Sequence, residues 1–245
     1  MTNNFLPQGR GLRKYSMILA IAGLATVLTS CLKNNEQPVQ TNVAALSVIN
    51  ASPNARNVNF FLDDTRINTS GIPYLSGLQY IRAFSGARKA TVTDVTTNGK
   101  LAEKTFTLAT GNYYSLYIVG VGATPDSLNY VFTVDSLKAP AAGKTRIRFA
   151  NLSPDSAPLS LAVEGQATNL VSNQAYKAVS QFVNVDPIAS GVLVIKDNTT
   201  GTVIGRLENT TLQAGFNYSI LARGIAASTV NDLKPGIKVI NHNSL

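Results

Sequence analysis

The side chains able to do chemistry are few and scattered. The 245-residue chain has one cysteine, Cys31, and one histidine, His242. A lone thiol closes no intramolecular disulfide and builds no thiolate zinc cage. A lone imidazole cannot supply the paired histidines of a zinc protease. Serine nucleophiles need an adjacent base. Ser52 and Ser153 recur within a repeated element, but His242 lies in the terminal Asn241-His-Asn-Ser-Leu245. Chains fray there, so His242 reads as a solvated tail residue. A Gly-Xaa-Ser-Xaa-Gly elbow is absent. Asp63-Asp64 falls at a strand end and reads as a turn. A glycan-acting hydrolase, which needs two acids across a cleft, would have to gather carboxylates such as Asp63 or Asp94 from distant strands. Alternating acids of the calcium-loop kind are missing. Gly120-Val-Gly122-Ala-Thr has neither a helix after it nor a lysine, so it reads as a loop, not a phosphate cradle. The chain is expected to be no enzyme and to carry no cofactor and no metal.

Two further sets of residues point to structure first. Asn50, Ser52 and Pro53 return as Asn151, Ser153 and Pro154. Proline presets φ for the second position of a turn, serine suits the first, and Asn54 or Asp155 suits the next. A structural turn is the expectation, with a ligand loop as the alternative. Tyr113, Tyr114 and Tyr117 could offer a glycan-stacking face. Neighbouring strand residues point to opposite faces, however, so Tyr113 and Tyr114 cannot share one platform. Tyr114, which recurs as Tyr218, is expected in a core with its hydroxyl satisfied, as in a tyrosine corner.

The N-terminus carries an address. Arg10, Arg13 and Lys14 precede the uncharged run Met17–Leu28. Twelve residues are too few for a helical bilayer span and fit the h-region of a secretory signal. Leu28-Thr29-Ser30-Cys31 follows and resembles the lipobox of bacterial lipoproteins at every position. The resemblance implies cleavage before Cys31 and lipidation of its thiol. It places residues 1–30 as a signal peptide, removed in the mature protein. Several acyl chains, at roughly 0.8 kcal/mol per buried methylene, give stable anchoring. Residues 31–41 read as a flexible tether. Some Bacteroidota surface lipoproteins carry an acidic export signal after the cysteine. Lys33-Asn34-Asn35-Glu36 has one acid, which leaves the periplasmic and surface faces of the outer membrane both open. The formal charge is +8; losing three basic residues leaves 18 against 13 acids, or +5. The basic residues are scattered, with no run of four or more and no recognition helix, so no nucleic-acid partner is expected.

The remainder is a tandem repeat. Leu46–Ala55 aligns with Ile147–Ser156, and Val58, Phe60 and Leu62 return as Leu159, Leu161 and Val163. Gly111, Tyr114, Ser115 and Gly120 return as Gly215, Tyr218, Ser219 and Gly224. A period near one hundred residues is a small domain, not a solenoid unit. Domains are expected at 42–139 and 144–245. Period-2 alternation in Leu46–Asn50 and Val58–Leu62 predicts half-buried strands. Asn98-Gly99 and Asn198–Gly201 supply hairpin turns. Pro73–Phe84 and Tyr176–Val185 fit a strand, a short helix or a loop. The fold class expected is all-β: two tandem immunoglobulin-like antiparallel β-sandwich domains.

The element Asn50-Ala-Ser-Pro-Asn-Ala55, then a strand, then Gly111-Asn-Tyr-Tyr-Ser115, resembles the bacterial family called domain of unknown function 4397 (DUF4397). The resemblance covers nearly all of 44–245 as two copies and implies an extracytoplasmic β-sandwich with no activity attached. Three functions stand in order. The first is a lipid-anchored, non-enzymatic binding or adhesion module for a protein or glycan. The second is a structural spacer or part of an envelope assembly. The third is a glycan-acting hydrolase.

Overall fold

Alternating apolar residues and turn formers give sixteen strands in the computed structural model, which describes residues 42–53, 57–122 and 124–242. Leu28, Thr29, Ser30 and Cys31 lie outside those residues, as do the tether and Asn54. The first eight strands are β1 (Val43–Asn50), β2 (Val58–Leu62), β3 (Thr65–Arg66), β4 (Gly77–Phe84), β5 (Gly86–Asp94), β6 (Lys100–Leu108), β7 (Tyr113–Gly120) and β8 (Leu128–Val134). The second eight are β9 (Thr145–Asn151), β10 (Leu159–Val163), β11 (Val171–Gln174), β12 (Val183–Val185), β13 (Ile188–Asp197), β14 (Val203–Leu212), β15 (Asn217–Arg223) and β16 (Gly236–Asn241). One 3-10 turn, Asn231–Leu233, precedes β16. The segment Pro73–Phe84, open between strand, helix and loop, is a turn followed by β4.

The strands form four sheets, ordered β4-β1-β7-β8 and β3-β2-β5-β6 in the first repeat, and β12-β9-β15-β16 and β11-β10-β13-β14 in the second. The two orders are the same, offset by eight strands. Pairing is antiparallel throughout except for β1 with β7 and β9 with β15, which run parallel. Each repeat is a β-sandwich. The first two strands of each repeat lie in opposite sheets, which departs from the immunoglobulin pattern, where strands A and B share one.

Packing gives three apolar layers. Leu46, Val48, Leu116 and Ile118 meet Val58, Phe60, Val92 and Leu101 inside the first sandwich. Ile147, Phe149, Tyr218 and Ile220 meet Leu159, Leu161, Leu193 and Ile195 inside the second. A third layer joins the two: Ile49, Ala51, Tyr117, Val119 and Val131 pack on Ala150, Leu152 and Leu221. The sheets therefore stack four deep within the compact unit Thr41–Leu245. This corrects the half-buried reading of the repeat's leading strand. Ser47 and Ile49, which the alternation puts on the outer face of β1, are buried at 2% and 6% exposure. The outer face of one sandwich is covered by the other.

Turn chemistry repeats with the fold. The Asp94 carboxylate accepts N–H bonds from Thr96 and Thr97 in the β5–β6 turn, and Asp197 does so from Thr199 and Thr200 in β13–β14. Tyr114 accepts from the Ala109 N–H and Tyr218 from Gln213, each closing the turn into its own strand. At the end of β15, Gly224 has φ +96°, and an added Cβ would fall 2.2 Å from the Lys234 carbonyl oxygen. Gly215, at φ +84°, has open space around it. Gly224→Ala is expected to lower unfolding free energy by several kcal/mol, through strain and collision together. Gly215→Ala should cost only about 1–2 kcal/mol, the left-handed conformation alone; urea unfolding of the two variants measures the difference.

Candidate functional site

The repeated Asn-Xaa-Ser-Pro element is a buried turn. The Asn50 side-chain oxygen accepts the Ser52 N–H at 3.2 Å, and its amide donates to the Ile72 carbonyl at 3.1 Å. The Ser52 hydroxyl donates to the Gly120 carbonyl at 2.7 Å. In the second repeat Asn151 accepts from Ser153, and Ser153 donates to Gly224 at 2.8 Å. Asparagine makes the turn, while the serine hydroxyl ties it to the end of the next central strand. That strand end is the repeated glycine. Asn50, Ser52, Asn151 and Ser153 are all fully buried and face no solvent. Pro53 and Pro154 complete the two turns, and Asp155 accepts N–H bonds from Ala226 and Ala227.

The acids proposed for hydrolysis do not meet. Asp94 pairs across from Val58 at one end of β2, and Asp63 follows Leu62 at the other. Five strand residues span roughly 16 Å, beyond the ~5–9.5 Å that glycosidic cleavage needs. Asp63 takes the Lys89 N–H and the Arg88 guanidinium, which together hold its carboxyl below the usual range. Among the described residues, no three His, Cys, Asp or Glu side chains gather as a metal site. Tyr113 and Tyr114 do point to opposite faces, with Tyr113 at 37% exposure and Tyr114 at 4%.

His242 is not a solvated tail residue. It is 3% exposed and belongs to a polar cluster between the two sandwiches. Its main-chain N–H donates to Asn217, extending the sheet one residue past β16, just as Asp135 donates to Tyr113 past β8. At the centre Arg148 meets Asp135 at 2.6 Å, with side-chain exposures of 1% and 0%. Arg148 Nε donates to Ser219 Oγ at 2.6 Å, and Nη2 donates to Ser115 Oγ and Tyr117 Oη, each at 3.0 Å. Asp135 Oδ2 accepts from Tyr80 at 2.6 Å and Ser115 at 2.7 Å. Tyr80 Oη and Ser219 Oγ sit 2.6 Å from His242 Nδ1 and Nε2. The Tyr80 proton is committed to Asp135 and the Ser219 oxygen to Arg148. Nδ1 therefore carries the hydrogen, Nε2 accepts, and His242 is neutral.

The cluster is built from equivalent positions in the two repeats. Ser115 and Ser219 correspond, as do Asp135 and His242, Ser47 and Arg148, and Tyr80 and Phe182, by their strand pairings. At the far end of the interface Tyr74 lies against Gly224 of the other repeat, and its equivalent Tyr176 lies against Gly120. Burial raises the pKa of both phenols. The same face of each repeat is used, in reciprocal fashion, as in an isologous dimer. Tyr80 reaches the cluster through a bulge: it has φ +37°, where the β1–β4 register shifts. Burial raises its pKa strongly, and Asp135 adds to this. Phe182 covers Arg148, with the guanidinium 4.9 Å from the ring centre. Burial disfavours the charge on Arg148, but Tyr117 and Asp135 more than offset this and raise its pKa.

Sequence reasoning singled out none of Arg148, Asp135 or Tyr80. The available signal was the departure of Arg148 from its repeat equivalent Ser47, between the core residues Ile147 and Phe149.

Residues 44–162 match the family described as Domain of unknown function (DUF4397). The match runs from the second residue of β1 through the rest of the first sandwich and continues through β9 and most of β10. No curated protein shows significant sequence similarity to the chain. Among solved structures, it is similar to a family 26 carbohydrate-binding module from Eubacterium rectale Amy13K in complex with maltoheptaose. That pair has 9% identity and a TM-score of 0.25, covering 81% of this chain and 96% of the other. An α-glucan-binding streptococcal virulence factor shows 10% identity and a TM-score of 0.24, over 74% and 92% of the two chains. Family 41 carbohydrate-binding modules from streptococcal virulence factors show 10% and 0.24, over 79% and 96%. These values describe a distant likeness among β-folds, and no ligand follows from them.

Two predictions come from the cluster. Asp135→Ala leaves a buried guanidinium unpaired and should cost about 3–5 kcal/mol in urea unfolding. Adding Arg148→Met should recover a large part of that loss. Burial, with Arg148 second, lowers the His242 pKa from 6.5 to about 4. Above pH 6.5 both the folded and unfolded states hold it neutral. As pH falls below 6.5 the unfolded state takes up the proton first, so stability declines until about pH 4, by roughly 3 kcal/mol in all. Thermal melts should show this slope in the wild type and lose most of it in His242→Gln.

Proposed function

We propose that the chain is a lipid-anchored, non-catalytic module of the bacterial cell envelope, whose two DUF4397-type repeats form one rigid block that binds a protein or a glycan. The observation that carries this is the sealed face between the repeats. Its only buried ion pair among the described residues, Arg148 with Asp135, is spent on holding the sandwiches together. Its imidazole is held neutral between Tyr80 and Ser219. Asp94, Asp155 and Asp197 are spent on turns. What stays available to a partner is the outer surface of a fixed scaffold, which suits recognition. The second repeat shares the strand order and the buried Asn-Xaa-Ser-Pro turn of the first, which supports its membership of the same family.

The anchor rests on Leu28-Thr29-Ser30-Cys31. Eleven tether residues reach at most about 40 Å, so a lipidated Cys31 would hold the block close to the outer membrane. The same rigidity favours a second reading, a spacer within an envelope assembly, which would need no ligand.

Growth of the source bacterium with an alkyne fatty acid tests the anchor. The wild type should carry the label and sediment with membranes. Cys31→Ser should lose the label and remain as the uncleaved precursor or appear in the soluble fraction. Unlabelled wild-type protein would overturn the anchor.

A further inference from the structure

The face between the repeats is closed at its centre, but its two flanks differ. On one flank a pocket of about 190 Å³ lies between β4 of the first repeat and β16 of the second. Ser47 and Ile49 of β1 form its floor. Gly77 and Gln79 of β4 make one wall, and Lys238 and Ile240 of β16 make the other. The pocket lies along the half of β1 farther from the chain entry. Two of its lining residues, Leu75 and Ser76, bond through their main chains to Asn50, the last residue of that strand.

The opposite flank supplies the comparison. Strand pairings make Gly77 equivalent to Val179, Lys238 to Val131 and Ser47 to Arg148. There Val179 and Val131 pack into the apolar layer that joins the repeats, and the long Arg148 side chain stands where Ser47 has a hydroxyl. On the open flank a glycine, a lysine and a serine leave the space unfilled. Gly77 cannot grow to close it, because an added Cβ would fall 2.0 Å from the Val48 carbonyl oxygen. A bulge in β4 sets Gln79 and Tyr80 together opposite Ser47. It sends Tyr80 to the polar cluster and Gln79 to the pocket, the re-aiming of side chains that bulges provide.

The groups on the walls select the occupant. Lys238, Gln79 and Ser47 bring an ammonium, a carboxamide and a hydroxyl to one pocket. Among the described residues none of these three side chains makes a hydrogen bond or an ion pair. Ser47 is only 2% exposed, and a hydroxyl buried to that degree ordinarily has a partner. Ile49 and Ile240 add apolar surface beside the polar groups. An apolar pocket with a few convergent polar groups is the usual form of a small-molecule site. The one charge among the lining residues is the Lys238 ammonium, so the complementary ligand is an anion. The Gln79 amide and the Ser47 hydroxyl are further donors, suited to the second oxygen of a carboxylate. A bare inorganic anion would leave the two isoleucines uncovered. We propose that this pocket binds a small organic carboxylate with an apolar body, Lys238 pairing with the carboxylate while Ile49 and Ile240 pack on the body. The site goes beyond the binding-module reading and does not rest on it. Its walls come from both repeats, so a bound acid would also brace one against the other.

The test is an amide NMR titration of the protein from residue 32 onward. The probes are butyrate, isovalerate and phenylacetate, each beside its neutral amide, and inorganic phosphate. At least one carboxylate should give saturable shifts at Ile49, Gly77 and Ile240, with its amide at least tenfold weaker and phosphate without effect. Lys238→Gln should weaken that binding at least tenfold, and Lys238→Arg less than threefold. Lys238 is exposed, so both variants should melt as the wild type does without ligand. Raised salt should weaken binding too. Amides or phosphate that bind as well as the acids would overturn the proposal, as would shifts confined to other surfaces. Undiminished binding to Lys238→Gln would overturn it as well, and so would titrations that stay blank to tens of millimolar. The binding-module reading survives each of these results, because it makes no use of this pocket.

Discussion

A guanidinium and a carboxylate moved out of water each lose several kcal/mol of hydration, and they stay charged inside a protein only when every donor and acceptor finds a partner. Arg148 and Asp135 meet each other and four hydroxyls between two β-sandwiches, and much of the molecule is arranged around that contact. Ser115 and Ser219 are small hydroxyls on the equivalent central strands of the two sandwiches, each placed to accept from the guanidinium. Tyr80 leaves the regular pleat of β4 to give its proton to Asp135, at the expense of a left-handed backbone. His242 then has to be neutral, because a second cation beside Arg148 would have no counter-charge.

The same contact explains the burial pattern. A two-layer sandwich normally has a wet face on each sheet. Here the central sheets have none over most of their length, so β1, β7, β9 and β15 are buried on both sides. Polar residues on their outer faces are therefore not solvent-facing. Ser47, Ser115, Arg148 and Ser219 must all be satisfied inside, and the ordinary inside–outside rule fails for them.

That failure marks the limit of what the sequence made legible. The repeat, the hairpin turns at Asn98-Gly99 and Asn198–Gly201, the opposed Tyr113 and Tyr114 and the tyrosine-closed turns were readable, because each rests on local spacing. The Asn-Xaa-Ser-Pro turn was legible as a position, but its bonding was not: the serine donates across to a glycine carbonyl instead of accepting locally. Tyr80 and His242 touch across 162 positions, and nothing local in Asn241-His-Asn foretells a buried imidazole. Stacking of one sandwich on the other had no periodic signature, since Ser47 alternates with Leu46 and Val48 just as a wet residue would.

Because the two repeats meet through the same face, in reciprocal fashion, their association closes on itself. A further copy would find this face of each repeat already taken, unlike the open end of a solenoid. The face has also ceased to be self-complementary. Two first repeats would set Asp135 against a serine, and two second repeats would bring a pair of Arg148 guanidinia together with no carboxylate between them. The divergence of Ser47 from Arg148, and of Asp135 from His242, makes each half the wrong mate for its own twin. The polypeptide behaves as an obligate heterodimer in which the covalent link sets the stoichiometry and the charges choose the partner.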